Sequence, residues 1–440
     1  MHFFIPVLSK RLLAFLMLIG ATSSGAQTTY TWTGATSGNW ATASNWTPAG
    51  VPGTNAGDKA QFGNVTRTSI TLAQEGDIDA DSLIFLAGAP AYTITLSSGS
   101  DSDLLNGIIN QSGAQQKFIL ADGSNLNFIG GNAANSLITS AGSLQFDAML
   151  GNPTITSQSG GDIFLANSTP LDASAATVIN ESNSDFVVDA STVSIGSLSG
   201  AGSIKIFSGL TVGSLGNNDT ISGVISDQGD SGALTKTGNG TLTLTNANTY
   251  TGQTTVQSGT LQVDGSLAST GDVVVSGTPA SAHATLGGAG SVGNVTMRSG
   301  AILIPGNANP DSNLTMTSLS CTTGNNSVFQ RIGSNQNNGD DFQGTSLVLQ
   351  SSLSTGTCAN LAFIFLSAGK PLFAGETFPI AVIDGTTNYT TASLTYNFAD
   401  FPGYTQASGH FLVLSVSASF SFIDFIVDDL GDEIFKNGFQ

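Results

Sequence analysis

The sequence predicts an all-β protein built as a solenoid of short strands. In Thr241 to Thr245, threonine and leucine alternate strictly, so the leucines share one face of a strand and the threonines the other. From residue 63 to 200, short apolar-alternating pieces recur between clusters of Gly, Asn, Asp and Ser. No window shows a sustained 3.6-residue period with helix caps. These observations favour strands stacked in coils of about 20–25 residues.

The composition suits a long β structure with a neutral polar surface. The chain has 440 residues, of which 54 are glycine and 9% are charged. Sparse charge and evenly spread apolar residues do not suit disorder, and a solenoid can grow to this length without dividing into globular domains. With 11 basic and 30 acidic residues, the formal charge is −19. That charge argues against nucleic acids and anionic membranes as partners.

Residues 1–26 are predicted to be a signal peptide. Lys10-Arg11 precede an apolar run from Leu12 to Ile19, and the small residues Ser24 to Ala26 suit a cleavage site. A membrane anchor is the alternative, but this apolar run is shorter than the roughly 20 residues that span a bilayer. The mature chain would keep nine basic and 30 acidic residues, a formal charge of −21. No integral membrane segment is expected in it.

The segment 27–62 contains all three tryptophans, Trp32, Trp40 and Trp46. The first coil of a solenoid needs a cover, because an open end exposes core residues and strand edges. The tryptophans are therefore expected to fill an N-terminal cap ahead of β-helix coils at 63–194. The alternative is a glycan platform, in which the indole rings stack on sugars.

Residues 232–263 carry the most specific pattern in the chain. Its spaced positions are Gly232, Leu234, Lys236, Gly238, Gly240, Leu242, Leu244, Asn248, Tyr250, Gly252, Thr254, Val256, Gly259 and Leu261. This pattern resembles the autotransporter-associated β-strand repeat, also called the passenger-associated repeat. The resemblance implies a right-handed parallel β-helix, exported to the surface of a Gram-negative bacterium. Flanking segments resemble the neighbouring coils of that family, so β-helix is expected throughout 195–310.

The inner and outer faces of this repeat can also be predicted. Leu242 and Leu244 are expected to point inward and to stack on apolar residues of adjacent coils. Lys236 is expected at an outer or turn position with its ammonium group in water. Replacing Lys236 with glutamine should then have almost no effect on stability.

The C-terminal part differs from the repeat region. Phenylalanine becomes frequent, and residues 311–423 are expected to form a β-rich cap, followed by an acidic tail at 424–440. The chain after residue 310 is too short and irregular to resemble the translocator barrel of an autotransporter. The chain therefore resembles a passenger without its own translocator, and its route across the outer membrane is unexplained.

The two cysteines, Cys321 and Cys358, are expected to form a disulfide, because an exported chain experiences oxidising conditions. The alternative is a pair of buried free thiols. The repeats that this chain resembles are normally free of cysteine, so the disulfide would be a local constraint in the C-terminal part.

Motifs that could support chemistry are weak. Gly229 to Gly232 spells Gly-Asp-Ser-Gly, but the mature chain has no histidine before that serine to serve as the base. Gly288-x-Gly290-x-x-Gly293 matches a dinucleotide fingerprint, yet a strand-like sequence follows where a helix is needed. The acidic pairs Asp340-Asp341 and Asp428-Asp429 lack basic partners and calcium-loop spacing. No catalytic, cofactor-binding or metal-ligating residue is predicted.

The sequence thus favours a secreted or cell-surface bacterial β-helix protein with a structural or adhesive function. Glycans or other cell-surface components are the expected partners, and no cofactor is expected. One alternative is a polysaccharide-active β-helix enzyme, although the basic residues are scattered singly. The other is a carbohydrate-binding module that uses the N-terminal tryptophans.

Overall fold

The computed structural model describes residues 27–322 apart from short gaps, and beyond residue 322 it describes mainly strand backbones up to residue 426. The gaps are residue 56, 73–76, 130–131, 134–135, 147–151, 159, 166–169, 228, 230, 269, 278–282 and 307–311. The predicted signal peptide and most of the predicted acidic tail lie outside the described residues.

The described chain consists of short strands and one 3-10 helix, Ala43–Asn45. The first strands are β1 (Thr29–Trp32), β2 (Trp46–Thr47), β3 (Lys59–Phe62), β4 (Ser69–Thr71), β5 (Asp79–Ala80), β6 (Ser82–Phe85), β7 (Thr93–Leu96), β8 (Asp101–Leu104), β9 (Gly107–Asn110), β10 (Gln116–Leu120), β11 (Asn125–Phe128), β12 (Asn132–Ala133), β13 (Ser136–Ser140), β14 (Ser143–Phe146), β15 (Thr154–Ser157), β16 (Ile163–Leu165), β17 (Leu171–Asn180), β18 (Asp185–Val188), β19 (Thr192–Gly200) and β20 (Ser203–Ile206). The remaining strands are β21 (Gly209–Val212), β22 (Asp219–Ile221), β23 (Ile225–Asp227), β24 (Ala233–Lys236), β25 (Thr241–Leu244), β26 (Thr254–Val256), β27 (Gly259–Val263), β28 (Val273–Val275), β29 (Ala284–Gly288), β30 (Ser291–Met297), β31 (Ala301–Pro305), β32 (Asn313–Cys321), β33 (Asn325–Asn335), β34 (Asp341–Gly344), β35 (Ser346–Ser354), β36 (Asn360–Ser367), β37 (Thr377–Ile383), β38 (Thr386–Thr387), β39 (Leu394–Phe398), β40 (Phe411–Val416) and β41 (Ser421–Ile426).

The strands stack in parallel, in register, as a β-solenoid of about 11 turns. Up to β14, the turns add strands to three stacks, as β7, β8 and β9 do, and β12 is the last strand of the third stack. Further on, longer strands belong to two stacks at once. Strand β17 pairs with β19 before and after a register shift. The first part of β19 then pairs with β21, and its last residue pairs with β22. The predicted all-β, parallel solenoid is confirmed.

The core follows from alternation combined with in-register stacking. Most strands bury every second residue, so equivalent inward side chains of adjacent turns lie on one another. Phe62 stacks on Phe85, and Phe128 stacks on Phe146, each with ring centroids 4.7 Å apart. Burying one such ring contributes about 2–3 kcal/mol, so the stacked columns hold neighbouring turns together.

The range predicted as a C-terminal cap begins as a continuation of the solenoid. Strand β32 pairs in parallel with β30 and β35, and β33 pairs in parallel with β31 and β36. Antiparallel strand pairs lie at both ends of the described chain: β1 with β2 near its start, and β33 with β34 and β41 with β37 and β40 towards its end. Within the described residues, no helix has the length and hydropathy needed to cross a bilayer.

Candidate functional site

The repeat coil supplies four strands, β24 to β27, whose apolar side chains point inward. Leu242 and Leu244 are 1% and 0% exposed, which confirms their predicted orientation. In the parallel register, Leu242 stacks on Leu261 and Leu244 on Val263 of the next turn. The apolar positions of the repeat therefore build the core between turns.

Lys236 does not lie where the sequence analysis placed it. The residue is 1% exposed, and its Nζ donates hydrogen bonds to the carbonyl oxygens of Thr237, Gly238 and Ser258 at 2.6, 2.9 and 3.3 Å. Burial lowers the pKa of Lys236 to about 8, and the nearby carboxylate of Asp219 opposes that shift. The expectation of an ammonium group in water was wrong. The buried ammonium instead holds together the carbonyl groups of two consecutive turns.

Lys236→Gln should consequently cost stability. A glutamine amide is shorter than the lysine chain and cannot reach all three carbonyls, and buried acceptors without a donor destabilise the fold.

Asn248, also a repeat position, joins three consecutive turns. Its Oδ1 accepts a hydrogen bond from the backbone N–H of Ile225 at 2.9 Å, and its Nδ2 donates to the carbonyls of Asn246 and Ser266. The side chain is 3% exposed. Next to Asn248, Ala247 and Ser266 form an isolated bridge outside the named strands. The side-chain amide of Asn248 therefore supplies hydrogen bonds that a longer strand would otherwise make.

Two further repeat residues form a buried hydroxyl pair, and one glycine has a steric role. The Tyr250 hydroxyl lies 2.7 Å from Thr254 Oγ1, and burial raises the pKa of Tyr250 far above its usual value. Gly238 has a φ of +67°, and a Cβ there would come within 1.8 Å of the Gly213 carbonyl oxygen. Together with Lys236 and Asn248, these residues serve internal packing, which leaves the outward positions for contacts with other molecules.

The three tryptophans lie in the core above the first turn. Trp32, Trp40 and Trp46 are 0–2% exposed, and their rings meet edge to face at 4.9 and 4.7 Å. The indole N–H groups of Trp32 and Trp46 donate to the carbonyls of Arg67 and Trp40. Rings covered in this way have no free face on which a sugar could stack, so the structure supports the cap and gives no support to the glycan platform.

The cysteine pair stays a prediction. Cys321 ends β32, is buried, and accepts a hydrogen bond from Asn326 Nδ2 at its Sγ atom at 2.9 Å. Cys358 lies outside the described residues.

Thiol labelling of the unfolded, unreduced protein is expected to find no free thiol. The disulfide would close a loop of roughly 40 residues and add about 3–4 kcal/mol of stability in the chain-entropy model. Two reactive thiols in that assay would contradict the pairing.

The motifs that resemble chemical sites are part of the solenoid frame. Gly288 has a φ of +117°, a Cβ there would meet the Val263 carbonyl oxygen at 2.1 Å, and strand β30 follows. Asp230 of the protease-like tetrapeptide, and the side chains of both acidic pairs, lie outside the described residues. Among the residues with described side chains, no group of three His, Cys, Asp or Glu is arranged to hold a metal ion.

A group of carboxylates lies on the outer side of β5 and β8. Asp79 neighbours Asp103 in the parallel register, and the backbone N–H of Asp101 donates to Asp77 Oδ1 at 2.8 Å. Burial first, and then the charges of Asp103 and Asp77, raise the pKa of Asp79 to about 6. Asp79 is still mainly ionised at neutral pH, but its charge is less stable in the folded protein than in the unfolded chain.

Asp79→Asn is expected to stabilise the protein by about 1 kcal/mol at pH 7, since solvent screens this partly exposed group. The folded state binds the proton more tightly than the unfolded chain, whose carboxyl titrates near pH 4. The contribution of Asp79 to wild-type stability should thus rise as the pH falls through 6 towards 4. The stability difference between Asp79→Asn and the wild type should shrink over the same range.

Urea unfolding at pH 7 and pH 5 measures both effects. Asp122→Asn, at an exposed aspartate outside this group, is the matched control and should change less. An Asp79→Asn variant that is less stable than the wild type at pH 7 would contradict the assignment.

A depression on the repeat region lies on the outer face of β26, β28 and β30. It has a volume of about 420 Å³ and is open to solvent. We call it the repeat groove; its lining residues are Gln253, Thr255, Gln257, Val274, Ser276 and Arg298. Each of the three strands comes from a different turn, so the groove exists only in the stacked solenoid.

The comparison with known families agrees with the geometry of the repeat coil. The family model described as Passenger-associated-transport-repeat matches residues 234–263. No curated protein matches this chain. The matched segment is the coil in which Lys236, Asn248 and Tyr250 are buried. Together with the stacked parallel strands, this match over 30 residues fits an autotransporter-passenger repeat protein.

Proposed function

We propose that this protein is exported and displayed on the surface of a Gram-negative bacterium, where it acts through structural or adhesive contacts. The observation that carries the proposal is the passenger repeat inside a solenoid. The buried polar residues of that repeat, Lys236 and Asn248, form hydrogen bonds with the backbone of the solenoid itself. The outward positions remain available. One outward column across successive turns is rich in hydroxyl groups: Thr211, Thr235, Thr255, Val274, Thr296 and Ser320.

Such columns suit neutral, hydrogen-bonding surfaces. Parallel strands lie about 4.7–4.9 Å apart, so hydroxyl and amide groups repeat along the solenoid at that spacing. Glycans present hydroxyl groups at comparable intervals, whereas the formal charge of −19 repels polyanions. The proposed partners are accordingly glycans or glycan-rich components of cell surfaces.

The enzyme alternative has less support. A polysaccharide-active β-helix would need acidic residues clustered with Lys, Arg or His in a groove. In the described part of the chain, the ion pairs are Lys59 with Asp81 and Lys205 with Asp185, each a single pair. The repeat groove contains Arg298 without a carboxylate among its lining residues.

Binding of the mature chain, residues 27–440, to cells tests the proposal. Fluorescently labelled protein should bind cells of the producing bacterium or its growth surface, heat-unfolded protein should not, and deletion of the gene should weaken cell adhesion. Incubation with polysaccharides should release no reducing ends. Release of reducing ends would contradict a contact function. So would labelled protein that does not bind cells, together with unchanged cell adhesion after deletion of the gene.

A further inference from the structure

We infer that the repeat groove binds a mostly neutral oligosaccharide that carries one carboxylated sugar, with Arg298 as the carboxylate ligand. This inference rests on the proposed contact function and names the ligand class for one part of the surface.

The groove combines the groups that recognise sugars. Gln253 and Gln257 are exposed and present amides, Thr255 between them donates its hydroxyl to Gln253 Oε1 at 3.3 Å, and Ser276 presents a hydroxyl directly after the adjacent strand. Such groups donate to and accept from sugar hydroxyls. Val274, 6% exposed, forms an apolar floor. A depression of about 420 Å³ lies in the size range of small-molecule sites, although it is more open than most.

Arg298 adds a charge that the fold itself does not use. The residue is exposed, and it makes no ion pair with any carboxylate of the described chain. By contrast, Lys59 and Lys205 are paired with aspartates, and Lys236 is bound to backbone carbonyls. An unpaired guanidinium presents a planar fork of N–H donors that fits a carboxylate with two hydrogen bonds.

The register brings Arg298 beside the sugar-binding groups. The backbone N–H of Ser276 donates to Val256, and that of Arg298 donates to Val275. Gln257, Ser276 and Arg298 therefore follow one another across three adjacent strands. A ligand lying across the strands could meet the amide, the hydroxyl and the guanidinium in that order.

The charge of the whole chain restricts the ligand further. A net charge of −19 disfavours a polyanion, in which every sugar is acidic, because most of its charges would find no cation. A single carboxylate at the end of a neutral oligosaccharide engages Arg298 and avoids that repulsion.

The test compares a glucuronate-terminated oligosaccharide with the same oligosaccharide ended by glucose, using titration calorimetry on residues 27–440. The wild type is expected to bind the acidic form at least about tenfold more tightly. Arg298→Gln should remove this preference and bind both at the neutral level. Arg67→Gln, at another exposed arginine without an ion pair among the described residues, should keep it.

Ser276→Tyr provides a second variant, because its ring would fill the groove. Ser276→Tyr should bind neither oligosaccharide, while its melting temperature should equal that of the wild type. The inference is overturned if the wild type shows no preference, if the preference survives in Arg298→Gln, or if neither oligosaccharide binds. The cell-binding assay then decides the proposed function separately: binding to cells that persists in Arg298→Gln leaves that function standing.

Discussion

Replacing Leu244 with aspartate is expected to lower the free energy of unfolding by roughly 4 kcal/mol or more. Leu244 is fully buried and stacks on Val263 of the next turn. A carboxylate there would be charged and unpaired in the core. Because each turn contacts only its neighbours, the damage should spread to the adjoining turns first.

Thr243→Asp, one residue earlier on the same strand, is the matched control. Thr243 is half-exposed and lies on the outer face, so the same charge should change stability by less than about 1 kcal/mol there. Urea unfolding and limited proteolysis of residues 27–440 measure both variants. Equal stability of the two aspartate variants would contradict the assigned faces of β25.

Lys236→Met is expected to lower stability by roughly 2–3 kcal/mol, although it removes a buried charge. Methionine keeps most of the side-chain volume but leaves the carbonyls of Thr237, Gly238 and Ser258 without this donor. Relief of the ammonium desolvation offsets part of that cost. Lys117→Met, at a half-exposed lysine on β10, is the control and should stay within about 0.5 kcal/mol of the wild type.

The pH dependence gives the Lys236 prediction a second readout. The pKa of Lys236 is about 8 in the folded protein, below the value near 10.4 of an unfolded lysine. Between these values the unfolded chain binds more protons, so the contribution of Lys236 to stability rises with pH. The stability difference between wild type and Lys236→Met should grow from pH 8 to pH 10. A difference that stays constant or shrinks would contradict the buried ammonium.

Alternation predicted the strands and the inner face of the repeat, and the resemblance to the passenger repeat implied the parallel β-helix. Leucines two residues apart must share a face, and in-register stacking then requires that face to be the core. The same rule places Lys236 beside Leu234 on the inward side. That position runs against the usual preference of lysine, which is rarely buried. The structure shows why an inward lysine is stable here: backbone carbonyl oxygens of the turns lie within hydrogen-bond distance of Lys236 Nζ.

The repeat groove could not be predicted from the sequence. Its residues come from three turns, and the segments that connect those turns differ in length. Which outward side chains become neighbours depends on the register, which the turn geometry sets. The role of Asn248 was hidden for a related reason, because its partners Ile225 and Ser266 belong to the preceding and following turns.

Exposure of the folded solenoid on intact cells tests the central claim most directly. An antibody raised against residues 27–440 should label intact cells of the producing bacterium, and external protease should remove that label while a cytoplasmic marker survives. Permeabilisation should add little further signal. Labelling that appears only after permeabilisation would contradict a surface protein that acts through its outward face.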